Sequence, residues 1–478
     1  MTGTDCQRTL SALPNELLAE IGENLEKHDL LNLRQVNREI AAGVDRPFLT
    51  RFFRCRTHVY TEYGLQALLD IASTPRLSAA LKEVQLVVLA PKSHFDERRS
   101  PSAEYKVDYE SYLFHDFLDE HSGSPKMTAM TKARHQECER QHEEQNEQIL
   151  RNKKIWTAWE AQQAKFRDDN SGTILLSMAF KTLASDSHLV KVGITNVRSE
   201  HYRRCGPGYI DVVGAYGVRD LCESLDASMQ SEDFGPADCD AAVHAVLPAI
   251  AGSDLGLKAL DLCSHNWKTG AGASGYDMLH APIDNLVEGF RLLTTLEIGF
   301  DCYPGNDRWF TGQDNCFKAV LKAATRLQSI SILDISIWDL DFEWLVENVL
   351  KMVAEAVSSK MLRCVTIESM TVLPQQLADF LLLHRNTLRE LRLLCLRVSE
   401  ESRWSDVFRC IVRDLDLDKL YFTSLSRGQY ETGGYLYRKS DRMNKDDDSG
   451  ETVDLTGKQL VKAGLKEFWK TARYRPYD

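Results

Sequence analysis

The residues of this chain best suited to chemistry are few and scattered. His135-x-x-Cys138-x-x-x-His142 would set three metal-ligating side chains on one face of a helix. Structural zinc takes four ligands, and no fourth stands nearby, so a wet helix surface is expected there instead. The twelve cysteines form no Cys-x-x-Cys pair, and Cys205, Cys222 and Cys239 are spaced by seventeen, an interval no metal motif uses. Gly270-Ala-Gly272-Ala-Ser-Gly275 has the glycines of a phosphate loop. It lies in a polar stretch rather than between a strand and a helix, so the context for dinucleotide binding fails. The acidic pairs Asp339/Asp341 and Asp416/Asp418 alternate with apolar residues, which marks an outward strand or loop edge more than a catalytic dyad. No G-x-S-x-G, H-E-x-x-H or kinase signature set is present. The expectation is a chain with no catalytic residue, no cofactor and no metal.

Such a chain acts by what its elements present to others. Its 478 residues predict two or three structural units with a substantial core, and 43% hydrophobic with 27% charged residues is ordinary for a globular chain. A net charge of −12 argues against general nucleic-acid binding, which leans on Lys and Arg at phosphates. No run of about eighteen apolar residues occurs, and the first residues lack the basic start and apolar core of a secretory leader. With cysteines spread thinly, this predicts a reduced, cytoplasmic and/or nuclear protein without a membrane partner.

One pattern recurs along the chain: a helix, a turn, then a strand centred on two apolar residues one apart. The strand pairs are Val84/Leu86, Val192/Ile194, Leu260/Leu262 and Leu296/Ile298, then Ile330/Ile332, Val365/Ile367, Leu391/Leu393 and Leu420/Phe422. From Leu260 onward the unit returns every 26–36 residues. A unit of that size cannot bury its inner face alone, so the period predicts stacked repeats with parallel strands and outer helices; a generic α/β domain would share both features. The full L-x-x-L-x-L spacing is evident only in fragments such as Leu388-x-x-Leu391-x-Leu393.

Residues 13–53 stand apart as three short amphipathic helices. Pro14 suits a first helical turn and Glu16 the positive end of its dipole. Leu17, Leu18, Ile21 and Leu25 follow at helical spacing, with Gly22 costing about 1 kcal/mol against Ala. Asp29 reads as the N-cap of a second helix carrying Leu33, Val36 and Ile40 on one face. Gly43 and Pro47 punctuate the next break, before a third apolar face of Phe48, Leu49, Phe52 and Phe53. A helical unit this small normally needs a partner surface, or else caps the end of a larger domain.

The opening Leu13-Pro14-x-Glu16-Leu17-Leu18-x-x-Ile21, the step Asp29-Leu30-Leu31-x-Leu33 and Val36-Asn37-Arg38 resemble an F-box, with Ile40 where many members carry an aromatic. The chain as a whole resembles an F-box protein with a leucine-rich-repeat-like C-terminal domain, of the type abundant in filamentous fungi. The resemblance implies that Leu13, Pro14, Leu17, Leu18, Ile21 and Leu25 bind a Skp-type adaptor, and through it a cullin–RING ubiquitin ligase. It implies that the repeats bind a protein target and that the chain's own contribution to rate is proximity. A Skp-binding protein without a ubiquitin role, and a repeat scaffold whose first helices are only a cap, remain the alternatives.

The expected fold is therefore α/β: an all-α F-box of three helices over 10–55, then an irregular leucine-rich-repeat-like solenoid with parallel strands. Residues 56–170 are read as the first helix–strand unit plus a charged helical insertion, whose Ile155, Trp156 and Trp159 make one apolar patch. Residues 171–430 are read as the solenoid, interrupted by a Gly- and Pro-rich loop over 199–240. Residues 431–478 are read as an exposed acidic loop over 440–451, a strand around Val453–Leu455 and a capping helix from Gly457. Val461, Leu465, Phe468 and Ala472 would share that helix's inner face, and Lys458, Lys462, Lys466 and Lys470 would form a cationic stripe.

Overall fold

A computed structural model describes residues 10–88, 140, 157–158, 161–186, 189–196, 237–262, 288–300, 316–334, 343–357, 359–398, 404–427, 434–438 and 453–476. The chain forms two compact units, one of Met1–Val88, Gly172–Asn196 and Cys239–Asp478, the other of Leu89–Ser171 and Val197–Asp238. In the second unit residues 161–168 are helical, with Gln163 and Phe166 buried.

The first unit is organised by one ladder. Its strands are β1 (Cys55–Val59), β2 (Glu83–Val88), β3 (Lys191–Asn196), β4 (Ala259–Leu262), β5 (Thr295–Phe300), β6 (Ser329–Asp334), β7 (Cys364–Glu368), β8 (Thr371–Val372), β9 (Glu390–Leu394), β10 (Arg397–Val398), β11 (Lys419–Thr423), β12 (Ser426–Arg427), β13 (Gly434–Arg438), β14 (Val453–Thr456) and β15 (Ala472–Pro476). The large sheet runs β1-β2-β3-β4-β5-β6-β7-β9-β11-β14, in chain order. Every pair is parallel except β11 with β14. The helices between the strands supply the crossovers that parallel pairing demands.

The register joins the apolar anchors into continuous rows. Val84 pairs with Val192, Val192 with Leu260, Leu260 with Leu296, and so on through Ile330, Val365 and Leu391 to Leu420. A second row runs from Ile298 through Ile332, Ile367 and Leu393 to Phe422 and Val453. The anchors are buried almost completely, and each buried aliphatic or aromatic side chain contributes about 1.5–3 kcal/mol of apolar transfer.

The register also exposes a signature that was legible only in fragments. Three residues before each anchor stands a buried leucine: Leu81, Leu189, Leu257 and Leu293 in the first four units, and Leu327, Leu362, Leu388 and Leu417 in the next four. L-x-x-Φ-x-Φ, with Φ aliphatic or aromatic, therefore opens all eight strands. The residue after each of the first seven leucines, and Arg54 ahead of β1, repeats one backbone motif. Its carbonyl accepts two consecutive N–H groups of the next strand, as Arg54 does from Lys82 (2.8 Å) and Glu83 (3.0 Å), and Arg363 from Arg389 (2.8 Å) and Glu390 (2.9 Å). The same pair of bonds recurs at Lys82, Val190, Lys258, Thr294, Gln328 and Arg389.

A smaller sheet, β15-β13-β12-β10-β8, was not foreseen. Its three two-residue strands follow β7, β9 and β11 after one residue in the left-handed region: Ser369 (φ 59°), Cys395 (φ 50°) and Ser424 (φ 51°). Antiparallel pairing enters only with the C-terminal strands, β14 in the large sheet and β13 with its neighbours β12 and β15 in the small one, beyond the stretch expected to be parallel. The C-terminal helix spans Lys458–Thr471, with Val461, Leu465 and Phe468 buried as expected, but Ala472 begins β15 rather than extending the helix face.

The N-terminal helices number four rather than three, after a 3-10 turn at Leu10–Ala12: α1 (Asn15–Asn24), α2 (Lys27–Val36), α3 (Arg38–Gly43) and α4 (Asp45–Phe53). The extra break is Asn37, held extended at φ −162°, whose Oδ1 accepts the Ile40 N–H at 2.8 Å and caps α3. Asn competes with helix by such local bonds. Asp29 lies inside the first turn of α2, where a carboxylate favours the dipole, and Glu26 holds the N-cap position. After β1 come α5 (Glu62–Ala72) and α6 (Pro75–Ser78), leading to β2.

Candidate functional site

The N-terminal helices bury one side and leave the other open. Leu18, Leu30 and Val44 form a small core of their own, with Leu13, Leu25, Leu33, Phe48 and Phe52 packed around it. Two glycines permit this density. A Cβ on Gly22 would lie 2.8 Å from Pro47 Cγ, and one on Gly43 would lie 2.5 Å from Leu18 Cδ1. Gly22, which costs helix propensity, is thus where α1 meets α4.

Of the six residues expected to meet an adaptor, Leu18 is 1% exposed, and Leu13 and Leu25 are half-buried against the same core. Pro14 is exposed, Leu17 is 45% exposed, and Ile21 is half-buried. Leu17 and Ile21, at i and i+4 of α1, lie beside the strip that Leu18 and Gly22 bury, about a quarter-turn round the helix, and Pro14 holds the N-cap position just before them.

Three apolar side chains outside the expected set are also open: Leu10, Leu31 and Val36, the last 63% exposed. Leu31 could have been read, because adjacent residues of a helix point about 100° apart and only one of Leu30-Leu31 can face the core. Val36 could not. The sequence pattern put it on the face of Leu33 and Ile40, and the break at Asn37 leaves Ile40 buried while Val36 ends α2 outside.

A charged cluster ties these helices to the first strand–helix unit. Arg76 of α6 donates Nε to Asp45 Oδ2 at 2.8 Å and a second guanidinium bond to Oδ1. Arg34 of α2 stands 3.7 Å from the same carboxylate and lies over the Phe48 ring, 3.4 Å from its centroid. Burial, then the neighbouring Arg76, lowers the Arg34 guanidinium from its ordinary value. Arg51 Nη2 donates to the Glu23 carbonyl at 2.8 Å, and its Nη1 to that of Leu25. A single residue, Arg54, separates α4 from β1, and its carbonyl is the first rung of the repeating motif.

The strand face opposite the buried anchors is polar. Gln85, Gly193, Asp261, Glu297, Ser331, Thr366 and Arg392 hold successive positions across it. Lys191 Nζ lies 3.1 Å from Asp261 Oδ2 there. Asp416, one of the acidic pairs, accepts a bond from Lys458 Nζ at 2.6 Å, which holds its carboxyl below the usual range, and Asp418 gives its carbonyl to the Gly457 N–H. The His135/Cys138/His142 pattern, the Gly270–Gly275 stretch, Asp339/Asp341, the Ile155/Trp156/Trp159 patch, most of the 199–240 loop and the 440–451 loop lie outside the described residues. Among the described residues no group of three or more His, Cys, Asp or Glu side chains could hold a metal ion, and no helix is long and apolar enough to cross a membrane. Comparison with known proteins gave no matching family model and no matching curated protein.

Proposed function

We propose that this chain is the target-recognition subunit of a Skp–cullin–F-box ubiquitin ligase. Its N-terminal helices take a Skp-type adaptor and its strand–helix units take a protein target. The observation that carries this reading is Leu17, 45% exposed on a helix whose neighbouring residue Leu18 is locked into the unit's own core. Burying a leucine contributes about 1.5–3 kcal/mol, so four helices that leave Pro14, Leu17, Leu31 and Val36 in water gain by covering them. The ligase reading assigns no bond-making group to this chain. It holds a target's lysines near a thioester on another subunit, and its effect on rate is effective concentration.

A cap reading has its own support: α4 passes through Arg54 straight into β1, so the helices adjoin that end of the sheet. Capping accounts for α4 and leaves the outer face of α1 without a task. The test is affinity purification of the full chain beside a Pro14→Ala/Leu17→Glu form, chosen because both side chains are exposed. Adaptor and cullin should co-purify with the parent and vanish with the variant, while circular dichroism stays unchanged. Equal recovery of adaptor from both would sink the assignment.

A further inference from the structure

The row of residues that opens the strands carries a charge the whole chain does not. The net charge is −12, yet five rungs of the carbonyl row are Arg54, Lys82, Lys258, Arg363 and Arg389, and its single acid is Asp418. Lys360 and Arg385, both exposed, stand in the turns just before β7 and β9. Arg389 spends its guanidinium on the carbonyls of Leu388, Asn386 and Asp416. Arg54, Lys82, Lys258, Lys360, Arg363 and Arg385 make no ion pair among the described residues.

Helix dipoles account for part of this. Cations favour helix C-termini, but the effect fades within the last turn. Arg54 follows α4 directly, and Arg385 sits just beyond the helix Pro374–Leu383. Lys82, Lys258 and Arg363 stand farther off, beyond the ends of α6 at Ser78, of the helix Ala237–Ala251 and of the helix Glu343–Ala356. Three unpaired cations gathered into one row, in an acidic chain, fit a ligand better than a dipole.

We propose that this row docks an acidic, extended segment of a protein partner. The ligase reading, on which this part rests, makes that partner the target. Neighbouring strands lie about 4.8 Å apart, so the row from Arg54 to Arg389 spans about 34 Å. An extended segment advances about 3.4 Å per residue and covers the same length in about ten residues. From Lys82 onward the leucine before each rung is buried, so the row presents charge rather than an apolar face that could enter a bilayer. A segment of about ten residues stays within the row, whereas a nucleic-acid duplex would run past it onto a chain of net charge −12, so a short acidic peptide is the fitting occupant.

The test uses the full chain and a fluorescein-labelled peptide of about ten residues, rich in Asp and Glu, followed by anisotropy. Lys82→Glu/Lys258→Glu should bind at least about tenfold more weakly, and Arg363→Glu should weaken binding further. Lys181→Glu/Lys351→Glu makes the same change of net charge at exposed helix positions and should cost less than about twofold. Parent binding should fall steeply between about 50 and about 300 mM salt. Should the charge-reversed row melt early, Lys82→Gln/Lys258→Gln takes its place. No binding by the parent, equal loss in both double variants, or tighter binding to anionic vesicles or single-stranded DNA would each overturn the proposal. Adaptor capture, measured in parallel, separates the two readings. A row variant that keeps the adaptor and loses the peptide supports the strip. Peptide binding by a parent that captures no adaptor sinks the ligase reading alone.

Discussion

Leu18 and Gly43 meet so closely that a methyl group on Gly43 would lie 2.5 Å from Leu18 Cδ1 and 2.9 Å from its Cβ. That contact fixes α1 on α3 and decides which of two adjacent leucines can serve a partner. Leu18→Ala should open a cavity and cost about 2–5 kcal/mol in the N-terminal helices. Gly43→Ala should destabilise as well, because the added methyl would also meet Leu18 Cβ, which no change of rotamer moves, so the helices must part. Leu17→Ala should stay within about 0.5 kcal/mol while weakening adaptor capture. Hydrogen exchange over residues 10–53 reads the stability term directly. Comparable loss of protection in the Leu17 and Leu18 variants would mean that the two faces have been misassigned.

Ser369, Cys395 and Ser424 hold the same left-handed backbone in successive units, and each is followed by a two-residue strand. The Ser369 N–H donates to the Leu394 carbonyl at 2.8 Å, and the Cys395 N–H to that of Thr423 at 2.9 Å, so the turns stack as the strands do. The left-handed region costs a non-glycine residue about 1–2 kcal/mol, and the buried Ser369 hydroxyl has no hydrogen-bond partner among the described residues. Ser369→Gly removes both costs and adds about 0.4–1 kcal/mol of unfolded-state freedom. Its Tm should match or exceed the parent's, whereas Ser369→Val should unfold earlier by at least about 2 kcal/mol. A thermal melt ordering the variants the other way would show that the turn is not under strain.

These turns mark where sequence reading ran out. The anchor pairs from Val84/Leu86 to Leu420/Phe422 were legible, because a leucine-rich pair at every strand is a periodic signal. The leucine three residues earlier was hidden, since the two residues between vary freely in charge and size. β1 was missed because its inward positions are Arg56 and His58 rather than aliphatic residues. The small sheet was missed because two-residue strands carry no period. At the N-terminus the apolar spacing located the helices, while Asn37 moved Val36 from the inner face to the outer one by a single side-chain bond.

Asp45 joins α4 to α6 through Arg76 and stands beside Arg34 of α2. All three side chains are partly exposed, so the pairs are screened, and a double-mutant cycle on Asp45→Ala and Arg76→Ala should give a coupling of about 1 kcal/mol or less. Arg34 is different, since its Nη1 is buried and already lacks a hydrogen-bond partner among the described residues. Removing Asp45 takes away the carboxylate facing that cation, so Asp45→Ala should cost more than Arg76→Ala. Denaturant midpoints of the two single variants measure this, and the reverse order would place the weight of the cluster on Arg76.

His58 is fully buried in β1, in register with Leu86, and its pKa is pushed down to about 3 by burial first and then by Arg56, with a backbone hydrogen bond to Gly64 opposing. The unfolded chain takes up the proton near 6.5, the folded chain only near 3. Between those values the unfolded state binds more protons, so stability is intact above pH 6.5 and falls as the pH drops. At a pH of about 4.5, about two units into that window, the loss from this one group is about 2–3 kcal/mol. Carboxylates also titrate there, so the comparison is with His58→Leu, which places a leucine in the ladder position beside Leu86. The parent should lose about 2–3 kcal/mol more than the variant between pH 7 and that point, measured by urea unfolding at each pH. If both lose the same amount, the acid sensitivity of this sheet does not begin at its first strand.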